Sequence, residues 1–145
     1  MALFSTDAKA KALAAAPLLQ GLAKRELREL AKVTEDMDFA EGKVLCKEGD
    51  WAREFFVIVD GEARVSKKGR RVAMLAPGAF FGEIALLERI PRTATVTAVT
   101  PLRALVLTSQ TFWSLVDRHP GIERKILRAL VERIRRTEVD DPTLR

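Results

Sequence analysis

Phe55-Phe-Val-Ile-Val-Asp-Gly-Glu-Ala-Arg-Val65 is the stretch on which the fold class turns. A short β-branched and aromatic run, Phe55 to Val59, meets Asp60-Gly61 and is followed at once by Glu62 to Val65. Asp-Gly between two such runs predicts a β-hairpin, because both central turn positions must accept positive φ. Lys67-Lys-Gly-Arg-Arg71 predicts a second hairpin tip, leading into Val72-Ala-Met-Leu75. Further out, glycines at 42, 49, 61, 69, 78 and 82 punctuate short runs of the same character. Strands at this spacing predict an antiparallel sandwich or barrel over residues 37–108 rather than βαβ units.

Both flanks change period. In residues 1–36, Ser5-Thr6-Asp7 offers an N-cap to an Ala-rich helix that Pro17 interrupts. Leu22, Leu27, Leu30 and Val33 then recur at helical spacing, with Lys24, Arg25, Arg28 and Lys32 on the other faces. In residues 109–138, Ser109 is expected to cap a short helix carrying Phe112, Trp113, Leu115 and Val116. A longer helix is predicted to start at His119-Pro120, with Ile122, Ile126, Leu127, Leu130, Val131 and Ile134 as one apolar stripe. Residues 139–145 read as a frayed tail. Helices, a barrel and helices again make one domain of 145 residues, large enough to bury a substantial core.

Composition removes several function classes. One cysteine, Cys46, precludes an intramolecular disulfide or a Cys-rich zinc site and suits a reducing compartment. One histidine, His119, precludes most metal and triad chemistry, including a metal-dependent enzyme on a similar barrel. No apolar run approaches the ~18 residues of a membrane span. Lys11 to Leu19 imitates a secretory signal core, but Pro17 interrupts it and it merges into a helical pattern, so a cytoplasmic protein is expected. The net charge of +5 suits an anionic partner without requiring nucleic acid.

The chemistry concentrates in Phe81-Gly-Glu-Ile-Ala-Leu-Leu-Glu-Arg-Ile-Pro-Arg-Thr-Ala-Thr-Val96. Gly82 breaks the strand pattern, and Glu83 to Leu87 can wind into one or two helical turns whose first amides are free to meet an anion. A loop through Pro91 returns to the extended run Ala94 to Ala98, with Arg92 and Thr93 at the junction. An arginine beside exposed amides suits a singly charged phosphodiester, and a carboxylate at Glu83 suits a sugar hydroxyl. There is no P-loop lysine and no acidic set for Mg²⁺, so a cyclic phosphate with a sugar fits better than a polyphosphate.

This segment resembles the phosphate-binding cassette of the cyclic nucleotide-binding domains. Residues 81–96 match its pattern throughout, including the four-residue spacer Glu88 to Pro91, and the helix–barrel–helix order extends the resemblance from about Pro17 to Arg136. Phe55 to Gly61 also resembles the family's barrel hairpin. The resemblance implies an antiparallel double-stranded β-helix, or jelly roll, with N-terminal helices and a C-terminal helical lid. It implies that Gly82, Glu83, Ile84, Ala85, Arg92 and Thr93 surround the ligand. Arg92 would hold the exocyclic phosphate oxygens and Glu83 the ribose 2′-hydroxyl; Gly82 would let the backbone approach the sugar, and the Ala85 and Thr93 amides would face the phosphate. Arg133 would be the lid residue over the base, with Arg135 and Arg136 as neighbouring alternatives. The ligand implied is cAMP, with cGMP as the alternative that Thr93 leaves open.

The expected function is therefore a non-catalytic sensor in which ligand binding moves the C-terminal helix, with no metal and no cofactor. The apolar stripe of that helix would serve a protein partner or a second copy. Only nine residues follow Arg136, so no DNA-binding helix-turn-helix is expected here, though the chain could be the sensor half of a regulator or channel. A ligand-free interaction module on the same fold is the remaining alternative. Elsewhere the expectations are structural. Lys67, Lys68, Arg70 and Arg71 form a solvated hairpin tip, while Arg124, Arg128 and the other helix arginines form a solvated face. His119 marks a helix boundary, Trp113 packs between helix and barrel, and Cys46 is an inert strand thiol.

Overall fold

The computed structural model describes residues 5–140, with side chains described through residue 135. Two helices open the chain, α1 (Thr6–Leu13) and α2 (Lys24–Lys32), with a 3-10 turn Pro17–Leu19 between them. Ser5 caps α1, its Oγ accepting the Ala8 N–H at 3.1 Å. At α2 the cap comes from inside the helix, where the Glu26 carboxylate accepts the Ala23 N–H at 2.7 Å.

Eight strands follow: β1 (Glu35–Phe39), β2 (Val44–Cys46), β3 (Glu54–Asp60), β4 (Ala63–Lys67), β5 (Arg70–Leu75), β6 (Phe80–Phe81), β7 (Thr95–Ala98) and β8 (Leu102–Thr108). They form two antiparallel four-stranded sheets, ordered β1-β8-β3-β6 and β2-β7-β4-β5. This is the jelly roll, beginning at Glu35, slightly before the expected residue 37. Helices α3 (Ser109–Arg118) and α4 (Pro120–Asp140) close the chain. Thr108 rather than Ser109 caps α3, its Oγ1 accepting the Thr111 N–H at 3.2 Å. Because α4 continues to Asp140, the tail expected from 139 begins within a helix, and residues 141–145 lie outside the described ones.

The sheet order corrects one expectation. Asp60-Gly61 is not a hairpin: β3 pairs with β8 and β6, whereas β4 pairs with β7 and β5. The dipeptide instead carries the chain across from one sheet to the other. Gly61 has φ +85°, and a Cβ there would strike the Pro101 carbonyl and the Leu102 backbone of the neighbouring corner. A corner between sheets needs the same positive φ as a tight turn, so the local pattern serves both. The second hairpin does form, joining β4 to β5 through Lys68 (φ 51°) and Gly69 (φ 79°), both in the left-handed region.

β3 is apolar at every position from Phe55 to Val59 because both its faces are covered. Phe56 and Ile58 point into the barrel with Val96, Ala98 and Val106. Phe55 and Val57 point outward, where they join Leu13, Leu18, Leu30, Phe112 and Ile122 from the helices. One strand thus serves two cores, and the helices are fastened to the outer face of the first sheet. No helix of the described residues is long and apolar enough to cross a membrane.

Candidate nucleotide-binding site

Between β6 and β7 the chain leaves the sheets and builds a cradle. Gly82, in the left-handed conformation (φ +81°), turns β6 into a 3-10 helix, Glu83–Leu86. Its conformation and its contacts both call for glycine. A Cβ at this position would stand 2.6 Å from the Glu54 carbonyl oxygen and would collide with the Arg92 guanidinium. The far end of the turn is anchored from α3, where Trp113 Nε1 donates to the Leu86 carbonyl at 2.6 Å.

Arg92 is placed by its backbone and by its side chain. Its N–H donates to the Asp50 carbonyl at 2.7 Å, and its carbonyl accepts the Gly49 N–H at 2.9 Å. The guanidinium donates through Nη2 to the Glu54 carbonyl at 2.7 Å and lies 5.9 Å from the centre of the Phe56 ring. Phe56 is itself stacked on Phe81, with ring centroids 4.6 Å apart. One of the guanidinium's five donors is engaged with Glu54, which fixes its plane and leaves a fork for an anion.

Gly82, Glu83, Ile84, Ala85, Arg92 and Thr93 all line one cavity of about 500 Å³. Glu83 is only 8% exposed, and its Oε2 is buried without a hydrogen-bond partner among the described residues. Its Oε1 accepts a hydrogen bond from Arg133 Nη1 at 2.5 Å, which brings the sequence-derived lid residue onto the cassette from α4. Arg135 pairs instead with Glu132, one turn away, and the side chain of Arg136 lies outside the described ones. The Ala85 amide does not stand free: it donates to the Gly82 carbonyl at 3.0 Å, within the turn. An anion there would have to share or displace that bond.

Sequence reasoning missed the opposite wall. Cys46, Val65, Lys67, Leu75 and Val96, from the second sheet, face the cassette across the cavity. Val65 and Lys67 are alternate residues of β4 and so share its inner face. That alternation was available as a signal once the strand was assigned; which sheet it belonged to was not. Lys67, expected on a solvated tip, is thus at the cavity wall as well. Burial pushes the Cys46 thiol above its ordinary value, with the Arg92 charge only partly opposing, which disfavours the nucleophilic thiolate.

Residues 36–119, more than half the chain, match the cyclic nucleotide-binding domain. A CRP-like cAMP-activated global transcriptional regulator of Mycobacterium tuberculosis is 28% identical over 86% of this chain and 58% of its own length. The cAMP-dependent protein kinase regulatory subunit of Eremothecium gossypii is 41% identical over 69% of this chain and 22% of its own. A cyclic nucleotide-gated potassium channel of Rhizobium etli is 35% identical over 83% and 34%. The chain therefore spans little more than half, or much less, of the length of these relatives. Among solved structures, the N-terminal domain of a transcriptional regulator from Streptomyces coelicolor A3(2) superposes with TM-score 0.81 at 27% identity, over 87% of this chain and 94% of that one. The catabolite activator protein of Thermus thermophilus gives 0.66 at 27% identity, over 86% and 61%. Such domains are regulatory and sensory rather than catalytic. The cassette sequence, the jelly roll and the cradle around Arg92 and Glu83 agree with these matches, and the chain belongs to the cyclic nucleotide-binding domain family.

Proposed function

We propose that this domain is a cAMP sensor in which α4 closes over the bound nucleotide. The observation that carries it is the pairing of opposite chemistries in one cavity: a fixed guanidinium at Arg92 and a buried, unpartnered carboxylate oxygen at Glu83. A cyclic phosphate carries one negative charge for Arg92, and a ribose 2′-hydroxyl supplies the donor that Glu83 Oε2 lacks. Gly82 lets the sugar approach the backbone, Thr93 and Ala85 flank the phosphate, and Ile84 forms part of the cavity wall. The names of the mycobacterial and kinase relatives support cAMP over cGMP.

Arg133 is the lid residue of this proposal because it already reaches the Glu83 carboxylate from α4. Ligand binding shifts α4 only as far as the ligand's contacts differ between open and closed arrangements. The stripe Leu127, Val131 and Ile134 is exposed on α4 and is the surface offered to a partner or second copy. The relatives couple domains of this family to transcription, channel gating or kinase control, and none of these outputs is assigned to this chain. The domain itself performs no catalysis and needs no metal or cofactor.

Calorimetric titration with cAMP and cGMP, beside Arg92→Ala, tests the proposal. The wild type should bind one cyclic nucleotide, with cAMP the tighter. Losing Arg92 leaves the phosphate unpaired in a half-buried site and should cost about 3–5 kcal/mol, roughly two to four decades of affinity. Binding of neither nucleotide would overturn the sensor and leave an interaction module.

A further inference from the structure

Among the described residues, the apolar anchoring of α4 is strongest at its beginning. Ile122 and Ile126 are fully buried against the helical core, and Leu130 is half-buried, whereas Leu127, Val131 and Ile134 are exposed. Beyond Ile126 the apolar anchoring thins to the half-buried Leu130, so polar contacts share in setting the direction of the helix. Two stand out, each made to a buried carboxylate. Arg133 reaches Glu83 on the cassette, and Lys125 Nζ reaches Glu26 Oε1 at 2.6 Å on α2.

Glu26 is held for this role. It is 8% exposed, its Oε1 also accepts the Ala23 N–H at 2.7 Å, and a Cβ built on Gly121 would lie 3.5 Å from its Oε2. One carboxylate therefore sits at the first turns of both α2 and α4, where both helix dipoles favour a negative charge. Burial alone would raise its pKa, but the Lys125 hydrogen bond, the Ala23 N–H and the charges of Lys125 and Arg25 outweigh it and hold the group below the usual range.

We propose that the Glu26–Lys125 pair is the pin that positions α4, so that the N-terminal helices control whether Arg133 reaches the cassette. Lys125 and Arg133 are eight residues apart, about 12 Å along the helix. A tilt of about 10° at the pin moves Arg133 by about 2 Å, enough to take its hydrogen bond to Glu83 out of range. Glu26 and Lys125 are not among the residues that line the cavity and are positioning residues. The effect on helix position stands on the geometry alone; the effect on nucleotide affinity rests on the function proposed above.

The test uses spin labels at Val72→Cys on β5 and Ile134→Cys on α4, both exposed, in a Cys46→Ser background. Interlabel distances are compared for this protein and for the same protein carrying Lys125→Met or Glu26→Gln; the glutamine retains an acceptor for the Ala23 N–H. Either substitution should broaden or shift the distribution. Calorimetry with cAMP should show Lys125→Met weakening binding about 5- to 10-fold, and adding nothing further in an Arg133→Met background, since it acts through Arg133. An unchanged distance distribution in both variants overturns the pin, whatever happens to melting temperature. Affinity losses that simply add also overturn action through Arg133. A shifted distribution in a protein that binds no nucleotide upholds the pin and refutes the sensor instead.

Discussion

Replacing Gly82 by alanine tests the cradle at its tightest point. Two penalties arise, and the structure separates them. The first is conformational: at φ +81° a Cβ meets its own backbone, which costs about 1–2 kcal/mol. The second is the surroundings: the new methyl would stand 2.6 Å from the Glu54 carbonyl and against the Arg92 guanidinium. Both groups are held, because Arg92 donates to that same carbonyl. Relief requires breaking this bond or shifting the turn, which adds about 1–3 kcal/mol on the scale of overpacked sites. Gly69 is the control, with φ +79° and nothing within 4 Å of an added Cβ. Gly69→Ala should therefore cost only the conformational part. Urea unfolding of both variants should place Gly82→Ala lower by about 1–3 kcal/mol. Calorimetry should show nucleotide binding lost at Gly82 and retained at Gly69. Equal stabilities and equal affinities for the two variants would refute the reasoning, since only the contacts of Gly82 distinguish them.

Trp113→Phe keeps an aromatic ring but removes the pyrrole N–H that donates to the Leu86 carbonyl, and should destabilise the protein by about 1–2 kcal/mol in urea unfolding. The pKa of Glu26 is lowered on folding, so its contribution to stability is fully present above the unfolded value of about 4.3 and is lost as pH falls through the folded value. Acid unfolding profiles should accordingly be flatter in that range for Glu26→Gln than for the wild type. Cys46 is half-buried in the cavity wall with a raised pKa, so iodoacetamide should modify it slowly at pH 7, and saturating cAMP should slow the reaction further. Mass spectrometry of timed aliquots measures both rates.

Local order along this chain could be read from its residues because it depends on neighbours in sequence. Ser5 caps the first helix, Lys68-Gly69 turns a hairpin, and Pro120 opens the last helix, each through groups only a few residues apart. Residues 81–96 are legible for the same reason: a glycine, a carboxylate and an arginine at set intervals make one continuous cradle. Asp60-Gly61 marks the limit. Its composition establishes a positive φ, but whether the strands on either side pair with each other depends on β8 and β7, about forty residues further on. The far wall of the cavity at Val65 and Lys67, and the burial of Phe55 to Val59 on both faces, follow from the same assembly of two sheets. The ion pairs that tie α4 to α2 and to the cassette are of this kind as well, joining residues ninety-nine and fifty positions apart. Sequence by itself determined the class of fold and the cassette, because those are local patterns. Tertiary structure decided which strands became neighbours, what faces the cassette and where α4 lies against them, because those contacts exist only once the chain has closed on itself.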